Sequence, residues 1–101
     1  PVDYVSDGKK TVRLEGGDGD LARITGSGCM TASLTGCCAA AESDAFVAAI
    51  SGILSMKVAG ERAAAALASG EGVGHFRIRL LDAIGLLDDG ALRWEGHVFD
   101  A

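Results

Sequence analysis

The chain has 101 residues with 49 % hydrophobic content, enough for one packed domain or part of one and unlike a disordered tail. Nine basic residues against fourteen acidic leave a formal charge of −5, with the basic residues scattered along the chain. That balance argues against nucleic acid or an anionic membrane as a partner.

The first residues, Pro1-Val2-Asp3-Tyr4, lack the basic-then-apolar order of a signal peptide and do not include an initiator Met, so the start reads as a cut. Residues 2–6 and 11–15 are rich in β-branched and aromatic types and predict two short antiparallel strands. Asp7-Gly8 between them is a hairpin signal. "GGDGD", residues 16–20, is expected to be a flexible loop, because glycine loses so much chain entropy in regular structure. Its alternating acids invite a calcium reading, but the rest of an EF-hand pattern is missing.

Residues 24–41 run without a charge for about a bilayer's span, yet Thr, Ser and Gly dilute them too far for insertion. A helix over residues 28–41 is predicted instead, ended by Ser43-Asp44, which also supplies the next N-cap. From Asp44 to about Ser69, Phe46, Ile50, Ile53, Leu54 and Val58 fall at helical spacing and predict a long, one-sided helix. "GEGVG", residues 70–74, breaks it. A third helix is expected from about His75 to Leu87, with Phe76, Leu80, Ile84 and Leu87 on one stripe. The tail after Asp88 is weakly patterned; Trp94, Val98 and Phe99 either anchor it or mark a frayed end.

Three cysteines form an odd set, which favours a reducing, cytoplasmic setting over a disulfide framework. Cys37 and Cys38, in an Ala-rich run, are expected to be buried packing groups rather than a metal or redox pair. Lys57 and Arg62 are expected to be solvated or ion-paired. A Cys29–His75 nucleophile couple is conceivable, but nothing in the sequence brings the two together. His75 is expected at a helix start with its ring partly solvated.

The chemistry-bearing stretch is "RITGSGCMTASLTG", residues 23–36. Glycines on both sides of Ser27, leading directly into a helix, expose backbone N–H groups that no intrahelical carbonyl satisfies. The helix dipole adds roughly half a positive charge there, and glycine lets an anion approach the main chain. Such a turn suits a phosphate, and phosphoryl transfer is catalysed mostly by positioning and charge stabilisation. Cys29 on the first turn is placed to accept a proton from a substrate hydroxyl, since a thiol's pKa tends to fall at a helix N-terminus. A bulky residue at Gly28 is expected to exclude the phosphate and strain the turn. Two other phosphate motifs are excluded: there is no G-x-x-x-x-G-K-[ST], and Thr31 stands where a dinucleotide fingerprint wants glycine. The alternative reading of the turn is a structural bend in a non-catalytic packing or oligomerisation fragment.

"VDYVSDG" (2–8), "ITGSGCM" (24–30), "MKVAGERA" (56–63) and "GVGHFRIRLLDAI" (72–84) together resemble the C-terminal part of the hydroxyethylthiazole kinases of the ribokinase-like superfamily. The resemblance covers about residues 2–87. It implies an α/β fold, the C-terminal portion of a three-layer α/β/α sandwich, seen here as a β-hairpin followed by about three helices in a single domain fragment over residues 1–101. It implies ATP- and Mg²⁺-dependent phosphorylation of 4-methyl-5-(2-hydroxyethyl)thiazole in thiamine biosynthesis and salvage. By the same resemblance Gly26, Ser27, Gly28 and Cys29 form the anion hole, Gly26 also contacts the thiazole, and Cys29 stands where most ribokinase-like kinases carry an aspartate base. An aspartate there would have favoured a pyrimidine or sugar kinase instead. The resemblance further implies a missing N-terminal part carrying the acidic residues around Mg²⁺, a trimer with active sites between subunits, and little activity for these residues alone.

Overall fold

The computed structural model describes residues 2–23 and 26–101, with the side chains of Ser27 and Asp89 outside the description. Ile24 and Thr25, which lead into the glycine turn, therefore lie outside the described residues.

Two strands, β1 (Asp3–Ser6) and β2 (Thr11–Glu15), form the expected hairpin, with Val5 opposite Val12 and Asp3 opposite Leu14. Asp7 closes the turn: its Oδ1 accepts from the N–H groups of Lys9 (2.8 Å) and Lys10 (2.7 Å). Gly8 takes the left-handed backbone (φ 90°) that a side chain would resist. Alternation places Val5, Val12 and Leu14 on one face. There they pack against Phe46, Ala49, Ile50 and Ile53.

The tail sharpens the sequence reading. Of the two alternatives the frayed end is excluded: α4 (Asp89–Glu95), capped by the Asp88 carboxylate accepting from the Ala91 N–H, leads into β3 (His97–Asp100). This third strand pairs antiparallel with β2, giving a sheet of order β1-β2-β3. Its apolar residues are too few and too exposed to signal a strand; what fixes it is pairing, helped by the Arg13 guanidinium lying 5.0 Å over the Phe99 ring. Val98 and Phe99 stay partly open to solvent, and Trp94 is 85 % exposed.

The helices are α1 (Ser27–Ala41), α2 (Ala45–Ala66) and α3 (Val73–Gly85). Asp44 caps α2, accepting from the Phe46 and Val47 N–H groups, which is the reason the chain restarts a helix there. The expectation of a one-sided α2 is overturned. Gly52 and every residue from Leu54 to Gly60 are buried, because α2 is the central rod of the molecule, with the sheet, α1, α3 and α4 all packed on it. Its small residues make this possible. A Cβ on Gly52 would stand 2.6 Å from the Thr35 Cα of α1, and one on Gly60 would stand 2.8 Å from the Leu21 side chain. On α3 the predicted stripe holds: Phe76 and Leu80 are fully buried and meet Met56, Ala59 and Ala63 of α2, with Ile84 and Leu87 at the rim. Complete burial of a side chain such as Phe76 stabilises by roughly 1.5–3 kcal/mol.

Candidate functional site

The predicted anion turn lies at the start of α1. Gly26 is its N-cap at φ 90°, ψ 4°, so the strained backbone belongs to Gly26, which only glycine adopts cheaply. Gly28, expected to share that strain, instead has ordinary helical backbone, and a Cβ there would meet nothing of this chain within 4 Å. The steric expectation at Gly28 thus concerns a ligand alone, not the turn.

Among the described side chains none caps α1. The first intrahelical bond of the turn runs from the Met30 N–H to the Gly26 carbonyl (2.9 Å), so the N–H groups of the first turn point out of the helix, toward the positive end of its dipole. α2 and α4 differ in carrying aspartate caps, whose carboxylates already occupy that position. α3 also starts on a glycine, Gly72, but Glu71 beside it carries a carboxylate that accepts from the Ala68 N–H (2.8 Å) and lies 3.7 Å from His75 and Arg79. That hydrogen bond, ahead of the nearby cations, holds the Glu71 carboxyl below the usual range. Among the described residues no carboxylate is hydrogen-bonded at the start of α1.

Two hollows meet at this turn. Gly28 and Thr31 line a cleft of about 450 Å³ whose other walls are Asp3 on β1, Gly17–Gly19 after β2, Leu21, and Ile53, Met56 and Lys57 on α2. Cys29, one residue on and a hundred degrees around the helix, faces the other way. It lines an apolar groove of about 310 Å³ with Met30, Ser33, Leu34 and Cys37 of α1 and Leu81 and Ile84 of α3. The turn is therefore the partition between a cleft that carries Asp3, Asp18 and Lys57 on mostly apolar walls and an apolar groove, with its backbone N–H groups at the junction. Ser27 opens the helix, one residue earlier than expected.

The glycine loop that walls the cleft is not slack. Gly16 and Gly17 take left-handed backbone (φ 93° and 87°), and a 3₁₀ turn over Gly19–Arg23 follows, with the Asp18 carboxylate accepting from the Asp20 N–H (2.9 Å). Leu21 seats the turn on Gly60. Lys57 holds the loop from below, its ammonium donating to the Gly16 carbonyl (3.2 Å) and pairing with the Asp3 carboxylate (2.9 Å). Sequence reasoning allowed Lys57 an ion pair but saw no link to the site. The signal was there in its position, one residue after Met56 and one before Val58 on a stretch too apolar to be a solvated face.

Other expectations divide. Arg62 is ion-paired as one of its alternatives, donating through Nε to Glu95 (2.8 Å) and tying α4 to α2. His75 sits on the first turn of α3 with its ring exposed. Cys29 shares its groove with Leu81 and Ile84 of α3, six and nine residues beyond His75, whose ring lies instead beside Glu71, so no Cys–His couple is seen among the described residues. The buried packing expected of Cys37 and Cys38 is not found. Cys37 is exposed and Cys38 half-buried, because α1 turns Met30, Leu34, Thr35 and Cys38 toward its neighbours and leaves Cys29, Ser33 and Cys37 on the open side. Among the described residues no group of three or more His, Cys, Asp or Glu side chains is gathered for a metal ion. No helix among them is long and apolar enough to cross a membrane.

Comparison with known proteins places this geometry. The model of the hydroxyethylthiazole kinase family matches residues 1–89. The chain is 42 % identical over 97 residues to the hydroxyethylthiazole kinase of Alkaliphilus oremlandii, covering 96 % of this chain and 36 % of that protein. It is 43 % identical over 96 residues to that of Clostridium novyi, covering 95 % and 35 %. A solved structure of the hydroxyethylthiazole kinase protein from Pyrococcus horikoshii superposes with a TM-score of 0.88 at 32 % identity, over 99 % of this chain and 38 % of that one. The chain thus spans about a third of the length of the relatives it matches, and over that third its three-stranded sheet and helices have the α/β arrangement of a ribokinase-like fragment. Sequence and fold agree: the chain belongs to the hydroxyethylthiazole kinase family.

Proposed function

We propose that these residues are the phosphate-binding C-terminal part of a cytoplasmic kinase that transfers the γ-phosphoryl group of ATP to the hydroxyl of 4-methyl-5-(2-hydroxyethyl)thiazole, supplying thiamine biosynthesis. The observation that carries this reading is the start of α1, uncapped by any described side chain and placed where a 450 Å³ cleft opens. Its backbone N–H groups at Ser27, Gly28 and Cys29 would take the phosphoryl oxygens as charge redistributes, a role that costs no reorganisation. Gly26 would lie against the thiazole.

In the transfer, the hydroxyl oxygen bonds to the γ-phosphorus while the bond to the β,γ-bridging oxygen breaks and ADP leaves. The Cys29 thiolate accepts the hydroxyl proton at Sγ and hands it to solvent, to which it is open. A loose transition state asks little of this base, so the N–H groups contribute more than the thiol. The described residues offer no ligand set for Mg²⁺, and no step assigned to this chain passes through a metal ion. The acidic ligands, the rest of the sheet and further ATP contacts belong to the N-terminal part of the longer protein. Exposed Tyr4, Ile78, Leu86 and Trp94 leave apolar surface for that part and for the neighbouring subunits of a trimer. The 101 residues alone are expected to be inactive.

The test uses the complete protein, assayed for thiazole-alcohol phosphorylation with ATP and Mg²⁺. Cys29→Ala should lower turnover by at most about a hundredfold while leaving ATP binding intact. A wild-type protein without turnover refutes the reading, and a variant that no longer binds ATP reverses the roles of amides and thiol.

A further inference from the structure

Asp3 and Val5 share the inner face of the sheet with Val12 and Leu14, so the Asp3 carboxylate points toward α2 rather than away from it. An acid on an apolar inner face is costly unless paired. Lys57 answers it from the middle of α2. The lysine side chain is only 6 % exposed, whereas that of Asp3 is 54 % exposed, so the pair is open on its acidic side alone. That open side is the cleft shared with Gly28 and Thr31. Among the described residues lining this cleft the charged side chains are Asp3, Asp18 and Lys57. A phosphate approaching the start of α1 therefore faces two carboxylates, and Lys57 is the cation that offsets one of them.

We propose that Lys57 is a positioning residue for anion binding: its ammonium neutralises the Asp3 carboxylate and holds the Gly16 carbonyl, keeping the wall opposite the α1 turn from repelling phosphate. This rests on the assignment of the α1 turn as the phosphate site. Lys57 acts through Asp3, and the ligand contacts the backbone N–H groups, not the buried ammonium.

The two halves of the pair then have opposite effects on anion affinity, which a merely structural bridge does not produce. In the complete protein, Lys57→Met keeps the length of the buried stem and leaves Asp3 bare; Asp3→Asn changes a half-exposed group and should fold normally. With inorganic phosphate and metal-free ADP as probes in equilibrium titrations at low salt, Lys57→Met should weaken binding about five- to tenfold. Asp3→Asn should tighten it about two- to threefold, and the double variant should return to within about twofold of wild type. All three differences should shrink toward nothing near 1 M salt, where the screening length is about 3 Å. Same-direction effects of the two single variants, or a double variant as weak as Lys57→Met, overturn the proposal and make Lys57 either a simple strut or a direct ligand. If Lys57→Met does not fold, loss of affinity or no change in Asp3→Asn overturns it by itself. Wild-type turnover with unchanged binding in both variants refutes this inference and spares the kinase reading; wild-type protein that binds neither probe refutes both.

Discussion

Gly52→Ala tests whether the anion turn is held in place by the contact between α1 and α2. The added Cβ would stand 2.6 Å from the Thr35 Cα, where contacts under 3.0 Å essentially never occur and ordinary contact begins near 3.4 Å, so the two helices must separate by about 0.4–0.8 Å. The Thr35 hydroxyl stands closer still and can turn away, but the Cα is main chain, which no rotamer change removes. Alanine gains about 1 kcal/mol of helix propensity over glycine. Overpacking costs about 1–3 kcal/mol, so the net expected loss of stability is up to about 2 kcal/mol. The functional effect should be larger. Thr35 lies about 12 Å along α1 from Ser27, and a displacement there is transmitted by a rigid rod to the N–H groups of the turn. A misplacement near 1 Å can cost about a hundredfold in rate. In the complete protein, denaturant midpoints should therefore fall modestly while kcat/KM falls by about ten- to a hundredfold. Gly36→Ala, on the same helix with nothing of this chain within 4 Å of the new Cβ, should instead gain about 0.5–1 kcal/mol and keep its activity. A Gly52→Ala protein as stable and as active as Gly36→Ala would refute the argument.

Gly26→Ala, forcing a side chain into φ 90°, should cost about 1–2 kcal/mol and weaken phosphate binding, read by denaturation and equilibrium titration. Gly28→Val should leave stability nearly unchanged, since no neighbour is met, while abolishing phosphate binding; an unaltered affinity would place the anion elsewhere. Phe76→Ala, emptying the α2–α3 core, should lose about 3–5 kcal/mol in chemical denaturation. The Glu71 carboxyl is lowered chiefly by the Ala68 N–H, and that of Glu95 chiefly by its hydrogen bond to Arg62. Depressed carboxylates stabilise the fold above their unfolded pKa and cease to do so as pH falls through the folded value. Denaturant midpoints should accordingly drop on acidification through and below the usual carboxylate range, less steeply in Glu95→Gln.

The residues by themselves determine the hairpin, the three principal helices and the turn between two glycines, because each of these is a local matter. Asp7 bonds within its own turn, Asp44 caps the helix it opens, and Phe76 and Leu80 mark their stripe at helical spacing. The Gly-Ser-Gly-Cys turn was legible as a glycine-led helix start for the same reason, since free N–H groups follow from the chain's own geometry. Tertiary structure decided what depends on distant partners. β3 exists because β2 offers an edge, and the glycine loop is firm because Leu21 finds Gly60 and Gly16 finds Lys57. α2 is buried all round over Leu54–Gly60 because its Gly and Ala residues admit four neighbours, which a periodicity of large apolar residues cannot register. The pairing of Lys57 with Asp3 joins residues more than fifty positions apart; no spacing rule encodes it, and only the stacking of sheet on helix brings those charges to the wall of the cleft.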